Sequence, residues 1–170
     1  EGWSDDDIVV NLQGDEPLMP ASLLRQVATD LDEHPEASIA TLATPFGDRV
    51  SLFDPHAVKV VLNHEGFAML FSRAPIPWHR DEFMHDTTEL PDTVPYLRHI
   101  GLYAYRAGFL KRFVGWQSTE LERAESLEQL RALWHGELIH VSVVDEPPGH
   151  GVDTPDDVKR VERLLGNQFV

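Results

Sequence analysis

Cysteine is absent from the 170 residues, so disulfides and thiolate metal sites are excluded, which fits a reducing cytosol. Positive charge is scarce: 14 Lys and Arg stand against 29 Asp and Glu, a formal net charge of −15. Such a field repels phosphates and argues against nonspecific binding to nucleic acid. The excess acid reads most simply as a soluble, solvated surface. No apolar run approaches the length that crosses a bilayer, so membrane insertion is not expected. A Gly-rich dinucleotide fingerprint, a P-loop, internal repeats and low-complexity segments are all missing. The chain does not open on Met and shows no signal peptide. Residues 1–7 read as the end of one element and a loop into a strand.

What is there suits one compact α/β domain with an ordinary apolar core. Residues 8–12 are a short β-branched strand. Pro20-Ala21-Ser22 opens a helix with Leu23, Leu24, Val27, Ala28 and Leu31 at helical spacing, ended by His34-Pro35. Strands are expected over residues 38–44, 58–62, 68–72, 99–105 and 139–144, with His64-Glu65-Gly66 as a hairpin turn. Residues 76–95 form a long irregular loop, a kind that is usually functional or mobile. A short helix covers residues 107–113. Thr119 and its neighbours cap a helix whose stripe (Leu121, Ala124, Leu127, Leu130, Leu133, Trp134) runs through to Gly136. Thr154-Pro155 opens a last helix with Val158, Val161, Leu164 and Leu165 on its buried face.

Two turns carry candidate chemistry. Val9-Val10-Asn11-Leu12-Gln13-Gly14-Asp15-Glu16-Pro17 is a strand ending in a tight turn that presents adjacent carboxylates. Ligands of open α/β sheets bind beyond the carboxyl ends of strands. Carboxylates there suit a hard cation, and a hard cation suits a phosphate substrate. The second turn is Gly151-Val152-Asp153-Thr154-Pro155. The expectation is that Asp15 and Asp153 converge. On spacing alone, an Asx turn at Asp15 and a plain loop before the Thr154 cap at Asp153 are equally good readings. Glu16 either supports a metal ligand or faces solvent. Gln13 either contacts a polyol or supports the turn. His34, His56, His64, His79, His85, His135, His140 and His150 show no dense ligand spacing and read as surface or loop residues. The four tryptophans read as core or interface packing.

Five segments together point to one family: residues 11–17; Phe71-Ser72-Arg73-Ala74-Pro75-Ile76-Pro77-Trp78; Arg98-His99-Ile100-Gly101-Leu102-Tyr103-Ala104-Tyr105-Arg106; Leu127-Glu128-Gln129-Leu130-Arg131; and Gly151-Val152-Asp153-Thr154-Pro155. The chain resembles the 3-deoxy-manno-octulosonate (Kdo) cytidylyltransferases over nearly its whole length. The resemblance implies a three-layer α/β sandwich of the nucleotide-diphospho-sugar transferase type. Its central sheet would be mostly parallel, with a smaller mixed sheet from the residue 59–73 hairpin and the His99 strand. It implies Mg²⁺-dependent formation of CMP-Kdo and pyrophosphate from CTP and Kdo for lipopolysaccharide assembly, in a cytoplasmic homodimer. Asp15 and Asp153 would hold the metal. Arg73 and Arg80 would serve the sugar-acid pocket, His99 and Tyr103 would share one strand face toward it, Glu128 and Gln129 would hold sugar hydroxyls, and Gln13 would contact hydroxyls or support the turn.

The chain also departs from the family pattern. The usual opening strand and its cation-rich triphosphate loop do not occur in it, which would account for the scarcity of positive charge. Residues 1–170 therefore read as a single domain, the C-terminal two-thirds of the family domain, with little turnover alone. The other readings are a noncatalytic sugar- or metal-binding fragment and a cytidylyltransferase for another sugar acid.

Overall fold

The β-branched run at the start forms strand β1 (Ile8–Asn11). The apolar stripe after Pro20 forms helix α1 (Ala21–Glu33), which turns Leu23, Val27 and Leu31 into the core. The structure is a computed structural model and describes residues 2–14, 17–84, 89–145, 158, 159 and 161–163. Strand β2 (Ile39–Pro45) leads into a short helix, α2 (Arg49–Phe53), capped by Asp48, whose carboxylate accepts from Ser51 N at 2.8 Å. The sequence reading has no helix there, because so short a segment carries no periodic signal. Strands β3 (Lys59–Leu62) and β4 (Ala68–Ser72) make the expected hairpin. Among its described residues the irregular stretch holds one 3₁₀ turn, Glu82–Met84. Strand β5 (Leu97–Arg106), helix α3 (Ala107–Phe113) and strand β6 (Ile139–Val143) follow as expected.

The expected long helix is two helices, α4 (Glu120–Glu125) and α5 (Gln129–Trp134). The break is at Ser126, whose φ of 52° is left-handed. α4 starts with a capping box, Thr119 with Glu122, and Arg131 of α5 donates to the Glu122 carboxylate at 2.8 Å. That hydrogen bond holds the Glu122 carboxyl down to about 2. Of the expected last helix, residues 158, 159 and 161–163 are helical. Val161 is buried and Val158 is exposed, contrary to expectation for the latter, while Leu164 and Leu165 lie outside the described residues.

The strands form one sheet in the order β4-β3-β5-β2-β6, with β1 also paired to β5. The α/β class stands, and the sheet is mixed. Among the described residues β2 and β6 are the parallel pair, while β5 runs antiparallel to β1, β2 and β3. The hairpin belongs to this sheet instead of forming a smaller one. α1 packs on one face, over Ala40, Leu42, Ile100, Leu102 and Ala104. Phe109 of α3 and Leu130 of α5 pack on the other, against Ile39, Tyr103 and Val141, giving three layers. A fully buried Leu or Val, such as Leu31 or Val27, contributes about 2 kcal/mol. The hairpin tip folds back onto β6, where Phe67 bridges His140 and Val141 N donates to Gly66 O at 3.0 Å.

Candidate active site

One edge of β5 is served by two different strands, and the cleft lies between them. β3 covers that edge at Leu97 and Arg98, and β1 covers it from Tyr103 to Arg106. The carboxyl end of β1 and the start of β3 thus face each other across an uncovered stretch of β5. On its other edge β5 carries two extra residues: Ile100 faces Leu42 and Tyr103 faces Thr41, with Gly101 and Leu102 between them. A bulge of this kind re-aims side chains next to a site.

The resulting cavity has a volume of about 450 Å³. Gln13, Arg73, His99, Tyr103, Glu128 and Gln129 line it, so six of the expected substrate residues share one cleft. His99 and Tyr103 present one face of β5, with ring centroids 5.3 Å apart. Gly101 lies between them, and a Cβ there would sit 4.0 Å from Gln13 Nε2, so a larger side chain would fill the cleft. Ser126 and Leu127 also line it, and no local sequence signal marks either one. The helix break explains their presence. It places Glu128 as the N-cap of α5 and Gln129 as its first residue, and so corrects the expectation that the pair sits within one long helix.

Arg73 enters the cleft already anchored. Its Nε donates to Glu125 O at 2.7 Å and its Nη1 to Pro55 O at 2.9 Å. A guanidinium has about five N–H donors, so roughly three are left for a ligand. The Glu125 carboxylate also accepts from Arg73 N at 2.9 Å and Ser72 Oγ at 2.6 Å, clamping the end of β4 to the end of α4. Beneath them, fully buried Lys59 donates to Arg73 O at 2.8 Å and Asp54 O at 2.6 Å. Burial lowers the Lys59 pKa. A lysine within the run Val58-Lys59-Val60-Val61 is the one sequence signal for this support.

Burial sets the charge states of the wall. It pushes the His99 imidazole down to about 3, so His99 is neutral at pH 7. The Tyr103 and Tyr105 hydroxyls are pushed up by burial and by the nearby Glu128 carboxylate. A smaller apolar cavity of about 180 Å³ adjoins the cleft, lined by Asn11, Tyr105 and Phe109 and sharing Glu128 and Gln129 with it.

Arg80 does not join the cleft. Trp78 packs edge-on against Phe53 and Phe83, and the turn that follows leaves Arg80 exposed. Asp15, Glu16 and Asp153 lie outside the described residues, as do His85 and His150.

The reading of the remaining histidines needs correction at His140, which is buried on β6. Asp30, His34 and His140 gather there: His140 Nδ1 meets Asp30 Oδ2 at 2.9 Å and His34 Nδ1 donates to Asp30 O at 2.8 Å. The two imidazoles stack 3.6 Å apart and nearly parallel, so their in-plane lone pairs do not converge on one ion. The cluster is a polar clamp between α1 and β6. Its sequence signal is the four-residue Asp30–His34 spacing. Of the tryptophans, Trp116 packs against the core beside Phe109, while Trp3, Trp78 and Trp134 are exposed.

Comparison with known proteins places this geometry in context. The cytidylyltransferase family profile matches residues 2–139. The 3-deoxy-manno-octulosonate cytidylyltransferase of Pseudomonas fluorescens (strain SBW25) is 58% identical over 165 residues, 97% of this chain and 65% of that protein. That of Pseudomonas syringae pv. tomato (strain ATCC BAA-871 / DC3000) is 58% identical over 158 residues, 93% of this chain and 62% of that protein. The chain thus spans about 65% of the length of the relatives it matches. A solved structure of CMP:2-keto-3-deoxy-manno-octonic acid synthetase complexed with CTP superposes with a TM-score of 0.83 at 34% identity, covering 95% of this chain and 63% of that one.

Proposed function

Because this chain belongs to the cytidylyltransferase family, we propose that its protein converts CTP and Kdo to CMP-Kdo and pyrophosphate for lipopolysaccharide assembly. The observation that carries this reading is the shared cleft of Gln13, Arg73, His99, Tyr103, Glu128 and Gln129. A sugar acid offers one carboxylate and many hydroxyls. The free N–H groups of Arg73 suit the carboxylate. Neutral His99, Tyr103 and the amides of Gln13 and Gln129 suit the hydroxyls, and Glu128 accepts from one more.

The reaction is nucleotidyl transfer. The anomeric hydroxyl oxygen attacks the α-phosphate, the bond to the β-phosphate oxygen breaks, pyrophosphate leaves and the hydroxyl proton goes to solvent. Positioning and charge neutralisation supply most of the catalysis. Asp15 and Asp153 are a hard oxygen donor set of the kind Mg²⁺ takes, and Gln13, two residues before Asp15, lines the cleft. Mg²⁺, when bound, would neutralise phosphate charge and acidify the attacking hydroxyl. The chain's own residues then have to bind and orient the sugar acid, with Arg73 fixing its carboxylate end and the β5 face holding its hydroxyls. Arg80, exposed and outside the lining of the cleft, keeps its proposed place in the active site on the family resemblance alone. We extend the reading to a cytoplasmic homodimer, supported by the family resemblance and by exposed Met69 and Leu70 on edge strand β4.

The test is a pyrophosphate-release assay on the full-length protein with Gln129→Ala and Arg73→Ala. Each variant should raise KM for Kdo by about tenfold or more and leave KM for CTP unchanged. Asp15→Asn and Asp153→Asn should each abolish turnover. Preference for a sialic acid in competition would point to the runner-up reading. The 170-residue polypeptide alone should turn over little, since it carries no cation-rich triphosphate loop, and robust CMP-Kdo formation by it would contradict that expectation.

A further inference from the structure

The bulge in β5 has a buried hydroxyl at its centre. Thr41 of β2 has no exposed surface. Its Oγ1 lies 3.1 Å from Ile100 O, 2.8 Å from Leu102 O and 3.0 Å from His99 Nε2. Those carbonyls flank Gly101, at the point where Gly101 and Leu102 have no opposite residue on β2. At the bulge the hydroxyl thus bonds carbonyl oxygens on both sides of Gly101.

The proton count then fixes a tautomer. A carbonyl oxygen only accepts, so the single Thr41 hydroxyl proton is directed at Leu102 O and Ile100 O. Oγ1 keeps only lone pairs for His99, and Nε2 must donate to them. A neutral imidazole with Nε2–H has an unprotonated Nδ1. Among the described residues Nδ1 has no partner, and it is not a buried orphan, that status belonging to Tyr96 OH alone. His99 lines the cleft, so Nδ1 faces the ligand space.

We infer that Thr41 is a positioning residue that locks His99 as the Nε2–H tautomer, so that the cleft presents an imidazole acceptor to a sugar hydroxyl. The sugar part of this inference rests on the proposed function; the tautomer does not. It adds a specificity rule: at this point the ligand must offer an O–H donor, and an analogue carrying an ether or a fluorine there loses the bond. It also explains why a threonine interrupts the apolar run of β2, at a position where the sequence alone suggests only a strand former.

The direct test is long-range ¹H–¹⁵N NMR of the His99 ring in the 170-residue chain near pH 7.5. The wild type and Thr41→Ser, which keeps the hydroxyl, should show a protonated Nε2 and a bare Nδ1. Thr41→Val, which keeps the shape and removes the hydroxyl, should shift His99 toward Nδ1–H or a mixture. In the full-length enzyme Thr41→Val should raise KM for the sugar acid about fivefold, with kcat and KM for CTP little changed, and Thr41→Ser should restore it. A wild-type spectrum showing Nδ1–H overturns the inference even if Thr41→Val fails to fold. An unchanged tautomer in folded Thr41→Val overturns it as well. If the tautomer behaves as expected but Kdo does not bind the wild-type cleft, the functional reading fails and the role of Thr41 in setting the tautomer stands.

Discussion

His99 shows how one side chain takes its chemistry from its surroundings. Phe71 stands edge-on to its ring at 5.0 Å, Tyr103 lies at 5.3 Å, and the burial they share keeps the imidazole pKa near 3 instead of its usual 6.5. Between those values the unfolded chain takes up a proton that the folded chain refuses. This contribution to stability is therefore complete above about pH 6.5 and is lost as pH falls toward 3. The His99 Cε1–H resonance should show no titration step from pH 5 to 8, and a midpoint near 6.5 would contradict its burial. Six of the seven residues expected to bind substrate lie in the family segments, and the fold gathers those six around one cleft, while Arg80 lies in none of the segments. Thr41 and Glu125 were not legible, and Lys59 showed only as a charge within an apolar run. Each acts through backbone carbonyls or amides brought near only by folding, and no local pattern announces such partners.

At the scale of elements, two of the three left-handed residues described, Gly66 and Ser126, have opposite consequences for mutation. Gly66, at φ 86°, packs its bare Cα on the His140 ring, where a Cβ would lie 2.8 Å from Nε2. Gly66→Ala should destabilise the chain by about 1–3 kcal/mol and loosen the hairpin from β6. Ser126, at φ 52°, carries a side chain where glycine is preferred. Ser126→Gly should stabilise by up to ~1 kcal/mol. Urea melts of both variants should move the midpoint in opposite directions, and a shift of the same sign in both would contradict this account. The Gly66 turn was readable, since His64-Glu65-Gly66 between two apolar runs is a hairpin signal. The Ser126 break was not. The stripe from Leu121 to Trp134 fits one helix, and tertiary packing overrode it to bring Ser126, Glu128 and Gln129 to the cleft. The place where local reasoning failed is thus the place where the candidate site is built.

For the molecule as a whole, the strand and helix pattern was enough for the α/β class, and the three layers came with the family resemblance. It did not reveal the antiparallel course of β5, which is decided by long-range pairing with three strands. That course matters more than any single element. One long strand covered at each end by a different neighbour leaves an open stretch of edge, and the cleft occupies it. In a chain of net charge −15, anchored Arg73 supplies local positive charge at that opening, which suits an anionic sugar. The most direct test is ¹H–¹⁵N chemical-shift mapping of the 170-residue chain titrated with Kdo. Saturable shifts centred on residues 13, 73, 99–103 and 126–129 are the predicted result. No saturable change, or shifts gathered around the separate groove of Trp116, Trp134 and His135, would contradict the assignment of this cleft to a sugar acid.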